Sequence, residues 1–206
     1  MRNWPPSDYP HTNEFGLAYH AAMGGAWKLS RHPIAIVDLT LDPAQWRKSL
    51  RDSNKNRINW GRKNMVWRTE PDLSVMQAFH RRIAGRTTRS QKTWDLLQQE
   101  MDAGRGELLV GFFEGALASS ALYIDGGDTT IYWSAVYDRS LFPRALTHYG
   151  MWLEMERAKA RGMKVLELGE VQEPGTASEK EINIGRFKRG FATEFIHVHA
   201  MNDKAA

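Results

Sequence analysis

The 206-residue sequence contains no cysteine. It therefore cannot form a disulfide framework, a cysteine-ligated metal centre or a thiol nucleophile. No apolar run approaches the roughly 18 residues of a membrane-spanning helix, and no basic start leads into the apolar core of a signal peptide. We also find no internal repeat, low-complexity tract or linker. These absences lead us to expect a soluble, cytoplasmic protein.

The composition favours one globular domain. Hydrophobic residues make up 42% of the chain and aromatic residues 11%, enough for one substantial core. Residues 1–33 mix proline, glycine and aromatics without a sustained period, so we expect an irregular lead-in there and a single domain over residues 34–206. The formal net charge of +4 favours anionic partners without identifying them.

The positive charge is concentrated in two runs. Between Leu41 and Lys63 there are seven cations against two acidic residues, and the stretch "HRRIAGRTTRSQK" has five lysines and arginines with no acid. Each run is typical of a solvated helix face. Together with the cations of "INIGRFKRGF" near the C-terminus, they also fit a surface that binds a cofactor phosphate, a nucleic-acid backbone or a sugar phosphate.

Hydrophobic periodicity predicts a mixed α/β order. A strand at "IAIVDLTL" precedes one helix over residues 42–64, which begins with the helix-start signal Asp42–Pro43. A short strand and two helices follow, the first of them ending at Gly85. Three strands joined by an "EG" and an "IDGGDT" turn then form an antiparallel meander. A long helix, a strand, a short helix and a final strand complete the chain, and the helical crossover makes two strands parallel.

This order, with several short motifs, resembles the GNAT superfamily of acetyltransferases, and more closely its Fem-type peptidyltransferase branch. The motifs lie within residues 34–200: "LRDSNKNRINWGRK", "HRRIAGRTTRS", "GELLVGFFEGALASSALYIDGGDTTIYWSAVYD", "GMKVLELGE" and "FKRGF". The resemblance implies a mostly antiparallel central sheet flanked by helices, with one parallel strand pair at a splayed gap. It also implies acyl transfer to an amine, in which a proton leaves the amine and charge develops on an oxyanion.

The resemblance leaves the acyl donor open. Acetyltransferases that bind coenzyme A usually carry a glycine-rich loop whose amides surround the pyrophosphate, but "DRSLFPRALTH" has no glycine and includes Pro143. Fem-type peptidyltransferases lack that loop as well and take the acyl group from aminoacyl-tRNA. The donor is therefore either acyl-coenzyme A, as a co-substrate rather than a permanently bound cofactor, or aminoacyl-tRNA. The short, single-unit chain favours the former.

Candidate site residues follow from the resemblance and from strand ends. The resemblance places Lys188 at the active site, where its charge can stabilise the oxyanion or a donor phosphate. Carboxylates at the end of the parallel strand, Glu167 and Glu170, can accept the amine proton. The candidates are, for catalysis, Lys188, Glu167 and Glu170; for the cofactor, Ser140 and Arg144 at the predicted start of the long helix, and Arg186; for the substrate, Tyr132, Trp133, Tyr137 and Phe187.

Each candidate also has a structural interpretation: a surface lysine, a salt-bridged carboxylate or a core aromatic. His148, on the long helix, is a weaker candidate for a base. His197 and His199 share a face of the last strand, but no nearby carboxylate completes a ligand set, so we predict no metal site.

Three functions remain open. The first is an N-acyltransferase acting on a small-molecule amine, an amino sugar or a cell-envelope precursor. The second is an aminoacyl-tRNA-dependent transferase, which the basic runs would suit. The third is a non-enzymatic nucleic-acid-binding module, ranked last because the sequence has no recognised nucleic-acid-binding motif.

Overall fold

A computed structural model describes residues 33–141, 144–172, 175 and 177–196. The lead-in up to residue 32, with its predicted short helix, and the pair His197 and His199 lie outside the described residues. Within them, no helix is long and apolar enough to cross a membrane.

Seven strands form one sheet in the order β2-β3-β4-β5-β6-β1-β7. Every neighbouring pair is antiparallel except β5 and β6, which are parallel. The strands are β1 (Ile34–Asp38), β2 (Met65–Thr69), β3 (Gly106–Phe113), β4 (Ala116–Gly126), β5 (Thr129–Tyr137), β6 (Val165–Glu170) and β7 (Glu194–Ile196). The predicted meander and the parallel pair are confirmed.

Six α-helices accompany the sheet in the described part of the chain. They are α1 (Pro43–Ser49), α2 (Asp52–Asn64), α3 (Ser74–Ala84), α4 (Gln91–Asp102), α5 (His148–Ala160) and α6 (Glu179–Arg189). The single helix predicted over residues 42–64 is wrong, because Leu50 and Arg51 adopt extended backbone and separate α1 from α2. Leu50 is buried at this break, so packing of its side chain accompanies the interruption.

The helices cover both faces of the sheet. On one face, α1, α2 and α5 pack over a core that includes Trp46, Ile58, Met155 and Leu166. On the other face, α3 and α4 pack their periodic apolar residues against alternate residues of β3 and β4. This second core contains Met76, Phe79, Trp94, Leu97, Leu108, Val110, Leu122 and Ile124.

The helix α5 approaches its neighbours closely through glycine. A Cβ atom on Gly150 would lie 2.3 Å from the Trp67 ring, and one on Gly61 of α2 would lie 2.7 Å from the Tyr149 Cβ. Only glycine permits such contacts without displacement of the partner. These contacts fix α2 and the start of α5 against each other, which matters because both border the site.

Candidate active site

The parallel strands β5 and β6 separate after three residue pairs. Thr129, Thr130 and Ile131 of β5 pair with β6, but β5 continues to Tyr137 along β4 alone. The register between β4 and β5 shifts so that Trp133 is an extra residue on β5. A β-bulge of this kind bends a strand and increases its twist, which opens the gap further. The splayed gap expected from the sequence is therefore present.

Three predicted catalytic residues meet where β6 ends. Glu167 is only 1% exposed, and burial raises the pKa of its carboxyl to about 8, with Glu170 adding to this rise and Lys188 opposing it. The Lys188 Nζ donates a hydrogen bond to the backbone oxygen of Glu170 at 2.9 Å. Burial lowers the pKa of the Lys188 ammonium, against the effect of both carboxylates. A carboxyl with a raised pKa and an ammonium with a lowered pKa therefore act on each other electrostatically at the end of β6.

Two glycines make this arrangement possible. Gly169 adopts a left-handed φ of 82° beside Glu167, and a Cβ atom there would lie 3.1 Å from the Lys188 Nζ. Gly190, in "FKRGF", follows α6, and a Cβ atom there would lie 2.2 Å from the Asn54 side chain. Asn54 is buried on α2 and donates a hydrogen bond to the Gly190 carbonyl at 2.8 Å. The end of α6 that carries Lys188 is thus fixed to α2.

An aromatic cluster lies beside Lys188. The Phe187 ring is 6.4 Å from the Tyr132 ring on β5 and 5.2 Å from both the His148 and Phe191 rings. Burial raises the pKa of the Tyr132 hydroxyl, which is therefore neutral at physiological pH. Tyr132 and Phe187 consequently form an apolar wall next to the Lys188–Glu167 pair.

Three other candidates lie apart from this wall. Trp133, the bulged residue, packs toward the α3–α4 core on the opposite face of the sheet from Tyr132. Tyr137 ends β5 and is 39% exposed. Arg186 is exposed and donates a hydrogen bond to Asn183 of its own helix, 3.1 Å away.

An open cleft of about 590 Å³ lies between α2 and the segment that follows β5. Its lining combines two arginines, small polar groups and an indole ring: Asn56, Arg57, Trp60, Ser140, Leu141, Arg144 and Ala145. The cleft thus contains both predicted cofactor-binding residues of the segment after β5. The expectation that Ser140 and Arg144 begin the long helix is wrong, because α5 starts at His148 and Ser140 lies in a 3₁₀ turn.

The α2 side of this cleft is not evident from the sequence. Asn56 and Arg57 lie four and three positions before Trp60, so both are neighbours of Trp60 on one side of α2. The basic run that ends at Lys63 indicates an anion-binding surface in this part of the chain. Hydrophobic periodicity does not tell which cations of the run lie next to the segment after β5. Among the described residues, no group of three or more histidines and carboxylates is placed to hold a metal ion.

Comparison with known proteins gives one family match. Residues 48–189 match the model of the acetyltransferase (GNAT) domain, which is more than half of the chain and includes Arg57, Glu167 and Lys188. No curated protein sequence matches the chain.

Solved structures match over most of the chain at low identity. The crystal structure of FemX covers 89% of this chain with 13% identity and a TM-score of 0.69. A conserved protein of unknown function from Bacteroides thetaiotaomicron covers 87% with 12% identity and a TM-score of 0.53. L-PGS from Bacillus licheniformis covers 81% with 15% identity and a TM-score of 0.50. The present chain spans 66%, 63% and 53% of those chains, respectively.

Proposed function

Because the chain belongs to the acetyltransferase (GNAT) domain family, we propose that it is an N-acyltransferase that uses an acyl-coenzyme A. The acceptor is an amine of a small molecule, an amino sugar or a cell-envelope precursor. The observation that carries this proposal is the electrostatic interaction of the buried Glu167 carboxyl with Lys188 where β5 and β6 separate. A base and a cation at one gap are the two groups that acyl transfer to an amine requires.

The chemistry assigns one role to each group. The amine nitrogen attacks the acyl carbon, a C–N bond forms, and the electron pair of the C–S bond leaves with the thiolate. Glu167, as the carboxylate, accepts the proton that the amine nitrogen loses. The Lys188 ammonium stabilises the oxyanion on the acyl oxygen while the carbon is tetrahedral. A base with a pKa of about 8 is close to the optimum for proton transfer near neutral pH.

The cleft supplies the second part of the proposal. Arg57 and Arg144 present guanidinium groups that suit the donor's phosphates, and Trp60 offers a ring face to its base. The segment after β5 has no glycine-rich loop, so arginine side chains rather than backbone amides would neutralise these phosphates.

A second candidate is transfer from aminoacyl-tRNA. It is favoured by cations of α1, α2 and the break between them that lie outside the cleft lining, namely the half-buried Arg47 and the exposed Lys48, Arg51, Arg62 and Lys63. Such a surface suits a polyanion, since phosphate contacts dominate the affinity of proteins for nucleic acids.

A thermal-shift titration with acetyl-coenzyme A, and in parallel with charged and uncharged tRNA, tests the two donors. A ligand that binds the folded state raises the melting temperature in proportion to the logarithm of its concentration above Kd. We expect a rise with acetyl-coenzyme A that Arg57→Ala reduces. A response to tRNA alone would establish the second candidate, and no response to either would refute both donors.

A further inference from the structure

His148 connects the two parts of the site. It is the first residue of α5, three positions after Ala145, which lines the cleft. Its ring packs edge-on at 5.2 Å against Phe187, which lies on the helix that carries Lys188, and tilted at 5.9 Å against Phe191, which follows that helix. The charge of Arg57, from the opposite wall of the cleft, also reaches this ring. His148 therefore lies between the cleft and the Lys188–Glu167 pair.

The imidazole of His148 is neutral, and one of its nitrogens is buried without a described hydrogen-bond partner. Burial, with a further contribution from Arg57, lowers its pKa to about 4, so the ring carries no charge at physiological pH. Its Nδ1 is buried and has no hydrogen-bond partner among the described residues. Leaving such an atom unsatisfied is costly, and buried polar atoms in native proteins usually have a partner.

Packing alone does not account for a histidine at this position. The rings around it belong to Phe187 and Phe191, and an apolar ring would fill the same space without an unsatisfied nitrogen. A role as the general base is also disfavoured, because an imidazole with so low a pKa accepts a proton from an amine poorly. The remaining use of a neutral imidazole is hydrogen bonding, since it offers one donor and one acceptor nitrogen.

We propose that His148 is a donor-binding residue that hydrogen-bonds the arm joining the donor's phosphates to its acyl group. This inference rests on the proposed use of acyl-coenzyme A. With the phosphates in the Arg57–Arg144 cleft and the acyl group at Lys188, the arm passes His148, and its amide groups can pair with either nitrogen of the neutral ring. The hydrogen bond that the protein leaves unformed is then completed by the substrate.

The test compares two ligands that differ in the arm. Coenzyme A carries the arm, whereas adenosine 3′,5′-bisphosphate has the nucleoside and phosphate groups without it. Calorimetric titration of the wild type and His148→Phe gives the dissociation constant of each ligand. We expect His148→Phe to weaken coenzyme A binding about tenfold, which corresponds to one hydrogen bond, and to leave the bisphosphate affinity unchanged. The melting temperature should stay equal or rise.

Three further variants complete the experiment. His148→Gln keeps a donor and an acceptor and should retain most of the arm-dependent affinity, whereas His148→Leu should lose it and serves if the Phe variant does not fold. His80→Phe is the control for replacing a histidine by phenylalanine, because His80 lies on α3 and outside the cleft lining. It should leave the affinity for both ligands unchanged. Equal coenzyme A affinity in the wild type and His148→Phe, or an equal loss for both ligands, would overturn the inference. If the wild type binds neither ligand, the acyl-coenzyme A proposal itself fails.

Discussion

Replacing Lys188 by alanine separates its proposed catalytic role from a structural one. The Lys188 side chain makes one described hydrogen bond, to the backbone oxygen of the exposed Glu170, and water can replace it there. Burial disfavours its charged form, as its lowered pKa indicates. We therefore expect Lys188→Ala to change the free energy of unfolding by less than about 1 kcal/mol, which moves the melting temperature of a chain this size by no more than ~2–4 °C.

The effect on turnover should be much larger. Removing one preorganised group that stabilises an oxyanion typically lowers kcat by about 10²–10³. Because the Phe187 wall remains and solvent can partly replace the ammonium, we expect a loss of at least about tenfold and on the order of 10². The donor's KM should change little, since the proposed binding mode places its phosphates in the Arg57–Arg144 cleft.

The pH profile gives an independent readout. In the proposed mechanism Glu167 acts as the base in its ionised form, so kcat should rise with pH through its pKa of about 8. Lys188 lowers this pKa, and an opposite charge within ~4–6 Å has an effect of about 1–3 units. In Lys188→Ala the pKa of Glu167 therefore rises, and the acid limb of the profile should move to higher pH by about one unit or more.

Initial rates at saturating amine, measured from pH 6 to 10 together with melting curves, test these expectations. The control is Lys180→Ala, an exposed cation near the start of the same helix, which should alter neither kcat nor the profile. Unchanged turnover in Lys188→Ala would remove Lys188 from the site. Lower turnover with an unshifted acid limb would instead show that Lys188 does not interact with the base.

Three further changes test other parts of the structure. Arg57→Ala should raise the donor's KM by about ten- to 150-fold with little effect on kcat, because a charge-assisted hydrogen bond contributes ~1.5–3 kcal/mol and about 1.4 kcal/mol corresponds to a factor of ten. Arg62→Ala, on the same helix but outside the cleft lining, should leave steady-state kinetics unaltered. Gly150→Ala should destabilise the fold by about 1–3 kcal/mol, since its Cβ would meet the Trp67 ring, and a denaturation midpoint equal to wild type would contradict that packing. Burial raises the pKa of Glu154 to about 8 in the folded state, above its ordinary value of 4.5. The folded state therefore binds the extra proton between these two values, so the free energy of unfolding should fall as the pH rises from 4.5 through 8. Glu154→Gln should flatten this dependence in melting temperatures recorded from about pH 5 to 9.

Local signals in the sequence predicted most of the fold. Glu114 and Gly115 both adopt positive φ, as a tight hairpin turn requires, and Gly85 ends α3 in a left-handed conformation. Alternation and helical periodicity identified the seven described strands in their succession along the chain, but not the order β2-β3-β4-β5-β6-β1-β7 in the sheet. These features depend on neighbouring residues, so the sequence determines them directly.

The two errors arose where tertiary packing overrides local signals. No glycine or proline marks the break between α1 and α2, which is accompanied by burial of Leu50. Pro143 resembles the first residue of a helix, but α5 begins only at His148, where it packs against Phe187. Periodicity likewise gave no reason to bury Glu154, which pairs with Arg161 at 2.7 Å.

At the candidate site, local motifs identify the residue types: Lys188 in "FKRGF", Glu167 in "LELGE" and a basic helix containing Arg57. Which of them meet depends on contacts between segments that are distant in the chain. The separation of β5 from β6 and the left-handed Gly169 place a carboxylate and a lysine side by side, and the contact of α2 with the segment after β5 selects Arg57 and Arg144 from many cations. The physical reason is burial: a pKa is shifted by the surroundings that the fold provides, and those surroundings come from residues distant in the chain.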